Sequence, residues 1–194
     1  MSDQRARLFV ALELTEAVRD TLAQWRALMV AEGGGIRAVA DENLHVTLAF
    51  LGWKGLEDLD GIAEACAVVR GRGALELSLG EAVVLPRRRP RVLAVSLADD
   101  TGALAATQSA VAEALAAGGF YEPEERPFLG HVTVARAGRG ARIPRSAVVS
   151  EPPPRLPFRG AEVVLYRSHL RGAGASYEAL VRIGLEPKGT SVSR

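Results

Sequence analysis

The chain has 194 residues, 48% of them hydrophobic and 24% charged, and a formal net charge of +1. That length suits one compact domain or two small lobes with a real core, and the near-neutral balance excludes a polycation of the histone or ribosomal kind. The only lysines are Lys54 and Lys188, so nearly all of the 24 cationic residues are arginine, whose planar fork of donors suits phosphate.

"RLFVALEL" (Arg7 to Leu14) is short, apolar and β-rich, and reads as a buried strand. Thr15 can cap the next segment, "EAVRDTLAQWRALMVAEGGG", where Val18, Leu22, Trp25 and Leu28 form one helical stripe before a glycine stop. "IRAVADENLHVTLAFLG" is a loop leading into a strand, and "LEDLDGIAEACAVVR" a second helix. "LELSL" and "EAVVLP" read as two further strands, followed by "RVLAVSL" (Arg91 to Leu97), which resembles the opening strand. Asp99 or Asp100 can cap the Ala-rich helix "TGALAATQSAVAEALAAGG". The loop "FYEPEERPFLG" then delivers "HVTVAR", and "AEVVLY" and "YEALVRIGL" close the series as strands. The tail at 187–194 is polar and reads as disordered.

The order repeats: strand, long helix, loop, then a strand that begins His-Val-Thr. Arg7 to Arg91 is a shift of 84 positions (91 − 7) and His45 to His131 a shift of 86 (131 − 45). This points to an internal duplication within a single domain over 1–186, its halves around 7–85 and 91–186, with strands able to exchange between lobes. A two-fold of that kind brings the two His-Val-Thr strands face to face across a shared cleft.

Residues i and i+2 of a strand share a face. His45 and Thr47 therefore share one, as do His131 and Thr133, while the valines turn to the core. Two imidazoles that titrate near neutrality can act as general base and general acid, and two hydroxyls can donate to the oxygens of an anion gaining charge. A phosphodiester cut without a metal is the natural substrate. One His-x-Thr is a weak signal; two, using two of the chain's three histidines at matched positions, are a strong one. The third, His169 in "YRSHL", has no threonine partner and reads as a surface or strand-end residue. Nothing supplies a third metal ligand with suitable spacing. The lone cysteine, Cys66, excludes an internal disulfide and a cysteine-based zinc site, and sits where a buried side chain is the default. The N-terminus lacks a signal-peptide core and no apolar run approaches about 18 residues, so a soluble, cytoplasmic protein is expected.

"RLFVALEL", "ENLHVTLAFLG", "PRVLAVSL", "RPFLGHVTVAR" and "VVLYRSHL…YEALVRIGL" together resemble, in order and spacing, the bacterial and archaeal RNA 2',3'-cyclic phosphodiesterases. These belong to the 2H phosphoesterase superfamily and are also called 2'-5' RNA ligases. The resemblance implies an α+β, bilobal 2H phosphoesterase fold, with two pseudo-symmetric lobes of antiparallel sheet plus helices around a central cleft. It implies no metal and no cofactor, a substrate class of RNA with a 2',3'-cyclic phosphate end (tRNA-derived RNA among them), and a monomer that keeps off membranes. It makes His45 the proton donor and His131 the proton acceptor, has Thr47 and Thr133 hold the phosphate oxygens, and gives Phe50 and Arg136 substrate contacts. The 2'-5' ligation associated with the family is read as the reverse reaction.

By simple alternation Phe50 and Arg136, five residues beyond their histidines, lie on the opposite face unless the strand bends, and Phe50 reads equally as core. Where family members often carry Trp and Pro before the first motif this chain has "IRAVADEN", and Leu129 and Gly130 replace a basic residue and Pro before the second. Arg87, Arg88, Arg89 and Arg91, with Arg136, Arg139, Arg142 and Arg145, form two arginine-rich loops read as a basic rim for RNA. Two other readings of the chain stand beside this one: the same site on a small substrate such as ADP-ribose cyclic phosphate, and a non-catalytic RNA-binding module.

Overall fold

The computed structural model describes residues 4–30, 35–144, 151–171 and 174–186, so Arg145 and the tail at 187–194 lie outside the described residues. Nine strands and three helices follow one another along them. They are β1 (Arg5–Glu13), α1 (Glu16–Val30), β2 (Ile36–Ala38), β3 (His45–Gly55), α2 (Leu59–Cys66), β4 (Leu75–Leu85), β5 (Val92–Ala98), α3 (Ala103–Ala117), β6 (His131–Ala137), β7 (Pro157–Gly160), β8 (Glu162–Arg171) and β9 (Gly174–Gly184).

The strands form one antiparallel sheet in the order β7-β4-β5-β6-β3-β1-β8-β9, with β2 added on β6. Read outward from its middle, the order is symmetric: β6, β5, β4, β7 one way and β3, β1, β8, β9 the other. The opening strands β1 and β5 take equivalent places beside the motif strands β3 and β6. The halves exchange strands, since β4 pairs with β5 while β8 and β9 extend the sheet beyond β1. They join at one residue pair, Val46↔Val132. This is the α+β architecture of two similar sheet halves with helices.

One face of the sheet is closed by the helices. Val46, Leu48, Val132 and Val134 are buried in the same cluster as Val18, Leu22 and Trp25 of α1, Ile62 and Cys66 of α2, and Leu104, Val111 and Leu115 of α3. Burial pushes the Cys66 thiol up to about 12, so it stays protonated and behaves as a small hydrophobe. Asp99 caps α3, its carboxylate accepting from the N–H groups of Leu104 and Ala105 at 3.0 and 3.1 Å.

Three local expectations need correction. Leu28 is not on the buried stripe but exposed: three residues beyond Trp25 it has turned off the stripe's axis. The polar Arg26 is buried instead, donating to the Val39 carbonyl at 2.5 Å and to Asp41 at 2.6 Å. "LELSL" and "EAVVLP" are one strand, β4, broken in pattern by a bulge where Gly80 and Glu81 face the single residue Ser96. The Ser96 hydroxyl accepts from the Glu81 N–H and donates to its carbonyl, and a Cβ on Gly80 would lie 2.7 Å from that hydroxyl oxygen. Finally, the short strands β2 and β7 were not expected; both are too brief to show a period.

Candidate active site

The two His-Val-Thr segments open β3 and β6 at the centre of the sheet, with the valines buried and the His and Thr side chains only partly so. The antiparallel register through Val46↔Val132 sets His45 opposite Thr133 and His131 opposite Thr47. Directly opposed side chains on one face lie about 5 Å apart at Cβ, so four functional groups converge on a small area of the face that no helix covers.

Both imidazoles are anchored alike. Nδ1 of His45 lies 2.7 Å from the Asn43 carbonyl, and Nδ1 of His131 lies 2.7 Å from the Leu129 carbonyl. A carbonyl can only accept, so each Nδ1 carries its proton and Nε2 is the nitrogen of each ring left able to take one up. Asn43 is itself buried and held through Nδ2 to the Ala175 carbonyl at 2.7 Å. Gly130 fits between the Leu129 anchor and α3, where a Cβ would meet Leu104 at 2.7 Å. A larger residue at this position would require the Leu104 side chain to move.

The two sites differ in their surroundings. His45 sits among rings: Phe9 at 4.9 Å, Tyr177 at 5.4 Å edge-on and Tyr166 at 6.4 Å between centroids. Burial there pushes the imidazole down to about 4; the Asn43 carbonyl pulls it up, and the Arg136 guanidinium and the neighbouring His131 ring push it further down. The substrate-free ring is therefore neutral at pH 7, and the Thr47 hydroxyl donates to its Nε2 over 3.0 Å. Glu13, opposite His45 in register, does not offset this. Arg182 binds both Glu13 oxygens and also Glu162. Burial raises the Glu13 carboxyl, but its bonds from Arg182 and Tyr166 hold it below its usual range. Burial and the Glu13 charge push the Tyr166 hydroxyl up to about 12, so it remains a donor.

Phe50 and Arg136 occupy the same face as the histidines, and the cause is a matched pair of bulges. The β1–β3 register jumps between Ala49 and Thr47, leaving Leu48 unpaired; the β5–β6 register jumps between Ala135 and Thr133, leaving Val134 unpaired. One extra residue restarts the alternation. Leu48–Ala49 and Val134–Ala135 are accordingly all buried, and Phe50 and Arg136 emerge exposed. The simple alternation misplaced both, and Phe50 is not core: it is 46% exposed, with the Arg7 guanidinium 4.7 Å above its ring.

Sequence reasoning missed Arg37. The three-residue β2 pairs with β6 so that Arg37 faces Arg136 directly, a like-charge pair that is unfavourable unless an anion joins it. Neither arginine has a carboxylate partner among the described residues. The arginine-rich loops lie side by side at this end of β6: the Ile143 N–H donates to the Pro90 carbonyl, and Arg91 is used internally, donating to the Ala137 and Gly138 carbonyls. Arg87, Arg88, Arg89, Arg139 and Arg142 are exposed on them. His169 has no threonine partner and pairs with Glu178 at 2.9 Å on β8–β9. No group of three His, Cys, Asp or Glu side chains that could hold a metal occurs among the described residues. A shallow hollow lined by Glu64, Ala65, Val68, Arg70 and Ala114 lies on the helices and includes no histidine or threonine of either motif.

The family model described as "2'-5' RNA ligase superfamily" matches residues 14–172. A protein of Escherichia coli (strain K12) named RNA 2',3'-cyclic phosphodiesterase is 30% identical over 181 residues, spanning 92% of this chain and 96% of that protein. One of the same name from Aeropyrum pernix is 37% identical over 124 residues, 62% of this chain and 68% of the other. The crystal structure of E. coli LigT complexed with 3'-AMP superposes with a TM-score of 0.77 at 27% identity, covering 95% of this chain and all of that one.

Proposed function

The chain belongs to the 2'-5' RNA ligase superfamily, and we propose that it is a hydrolase of RNA 2',3'-cyclic phosphate ends that works without a metal cofactor and leaves a 2'-phosphomonoester. The observation that carries this reading is the Val46↔Val132 register, which opposes the two His–Thr pairs on one open face. Relatives named RNA 2',3'-cyclic phosphodiesterase support it. No helix of the described residues is long and apolar enough to cross a membrane, and a soluble cytoplasmic monomer is part of the proposal.

The mechanism follows from the reactive nitrogens. His131 Nε2, left basic because Nδ1 is bound to a carbonyl, takes a proton from water as its oxygen attacks phosphorus. The P–O3' bond breaks, and His45 gives its Nε2 proton to the departing 3'-oxygen, which leaves a 3'-hydroxyl and a 2'-phosphate. Thr47 and Thr133 donate to the non-bridging oxygens as charge builds on them. His45 is neutral in the free protein, so its donor role needs the proton that the bound anion restores. In that step Thr47 is released from Nε2 and becomes available to the phosphate.

The test is hydrolysis of a short RNA ending in a 2',3'-cyclic phosphate, with EDTA present, by wild type, His45→Ala and His131→Ala. Conversion to a 2'-phosphate that falls by about 10²–10⁴-fold in each variant is expected for paired acid–base catalysis. Activity removed by EDTA would mean a metal mechanism, and RNA bound without turnover would mean a binding module.

A further inference from the structure

The open face of β3 continues past the histidine and threonine. A second register jump, with Phe9↔Phe50 followed by Leu8↔Gly52, leaves Leu51 unpaired and returns Trp53 to the same face as Phe50. The stripe along this one strand is thus His45, Thr47, Phe50, Trp53. Both aromatic residues are exposed, Trp53 at 55%, and Trp53 makes no ring contact with another aromatic side chain among the described residues. Exposure of a large aromatic ring beside a reactive site is informative in a way that a scattered exposed leucine is not.

The neighbouring strand supplies positive charge at the same positions. Arg7 faces Trp53 across β1–β3 and lays its guanidinium over Phe50, with one N–H reaching Ser168 at 3.4 Å. Arg5, one step further, donates to the Trp53 carbonyl at 3.1 Å and has no carboxylate partner among the described residues. Flat rings interleaved with arginines along a line leading from a phosphate site are what an unpaired nucleic-acid strand needs. Bases stack on the rings, and the backbone follows the cations. A duplex is unsuited, because its bases are not free to stack on protein.

We propose that Trp53 is the stacking platform for the nucleotide 5' of the one seated at Phe50, so that β3 and the Arg5–Arg7 edge of β1 form a track for single-stranded RNA leading away from the cyclic end. This rests on the reading of the His–Thr site as the cyclic phosphate site. It makes the protein length-selective: a mononucleotide reaches Phe50 but not Trp53, whereas a trinucleotide uses both.

The experiment is kcat/KM for a nucleoside 2',3'-cyclic phosphate and for a trinucleotide ending in the same group, with wild type, Trp53→Ala and Trp53→Phe. Stacking on an aromatic side chain contributes about 1–3 kcal/mol per base, so the trinucleotide-to-mononucleotide ratio should fall by about 5- to 150-fold in Trp53→Ala. Trp53→Phe should keep much of it. In parallel, the trinucleotide should change the emission of the His131→Ala protein and the mononucleotide should not, since the other tryptophan, Trp25, is buried and bonded to the Glu151 carbonyl. If wild type hydrolyses both substrates equally well, or Trp53→Ala leaves the ratio where it was, the track is wrong while the hydrolase reading stands. If neither substrate is turned over, the hydrolase reading fails and the track with it.

Discussion

Binding of the substrate anion should load His45 with a proton. The free imidazole lies at about 4 because it is buried among Phe9, Tyr166 and Tyr177 and faces the Arg136 charge and the His131 ring. A monoanion about 4 Å from Nε2, at an effective dielectric of about 20, stabilises the imidazolium by about 4 kcal/mol. That is about 3 pKa units, enough to bring His45 to about 7 in the complex. A nucleoside 2',3'-cyclic phosphate keeps one negative charge throughout the neutral and mildly acid range, so a pH dependence of its affinity belongs to the protein. Calorimetric titration of the His131→Ala variant isolates His45 and prevents turnover. By linkage, affinity should be about 30-fold tighter near pH 5.5 than near pH 8, with a proton taken up from buffer. The same affinity at both pH values would show that the anion does not sit in the field of His45, and the donor role would fall with it.

The unliganded protein carries the complementary sign. His45 titrates at its ordinary 6.5 when unfolded and near 4 when folded. The stability linked to it is thus fully present above 6.5 and is lost as the pH falls from 6.5 through 4, by an amount on the order of 3 kcal/mol. A thermal melt series across that window should show the decline in wild type and a shallower one in His45→Ala.

Three further outcomes are expected. Thr47→Val and Thr133→Val should each lower kcat by about 10²-fold while Thr→Ser at either position retains most activity, because only the hydroxyl is used; equal losses with Ser would assign the threonines to packing. Arg37→Gln, and separately glutamine at Arg87, Arg88 and Arg89, should flatten the dependence of log RNA affinity on log salt by about 0.7 for each phosphate contact removed. An unchanged slope in the triple variant would refute the basic rim and leave the Arg37–Arg136 pair as the cationic contribution. Arg26→Ala removes two bonds from a buried guanidinium and should cost about 2 kcal/mol in denaturant unfolding, with little effect if water replaces the side chain.

How much of this was legible in the sequence depended on the period of each signal. β1, β3 and β6 were readable because short apolar runs give strands away, and the repeated His-Val-Thr marked β3 and β6 as equivalent; that they lie edge to edge in one sheet, joined at Val46↔Val132, and not face to face across a cleft, was not readable. The sequence allowed strands to exchange between the halves, but which ones do so, with β8 and β9 extending the sheet beyond β1, is a matter of long-range pairing that local patterns do not record. β2, three residues long, has no period to read, and Arg37 was hidden with it.

The bulges are the most instructive case. A strict two-residue period turns Phe50 and Arg136 to the helix side, and the structure turns them to the histidines by leaving Leu48 and Val134 unpaired. A trace of this exists in the sequence: Leu48–Ala49 and Val134–Ala135 are consecutive apolar pairs, which a regular half-buried strand does not need. Each pair ends in alanine, small enough to lie buried beside its neighbour where the strand bends. The same irregularity falls one residue after each threonine, in halves that otherwise share little sequence. Here it aims one aromatic ring and one guanidinium at a site that already holds two imidazoles and two hydroxyls. Restoring regular alternation by deleting Leu48 would return Phe50 to the core side, and with it the contact that leads the strand toward Trp53.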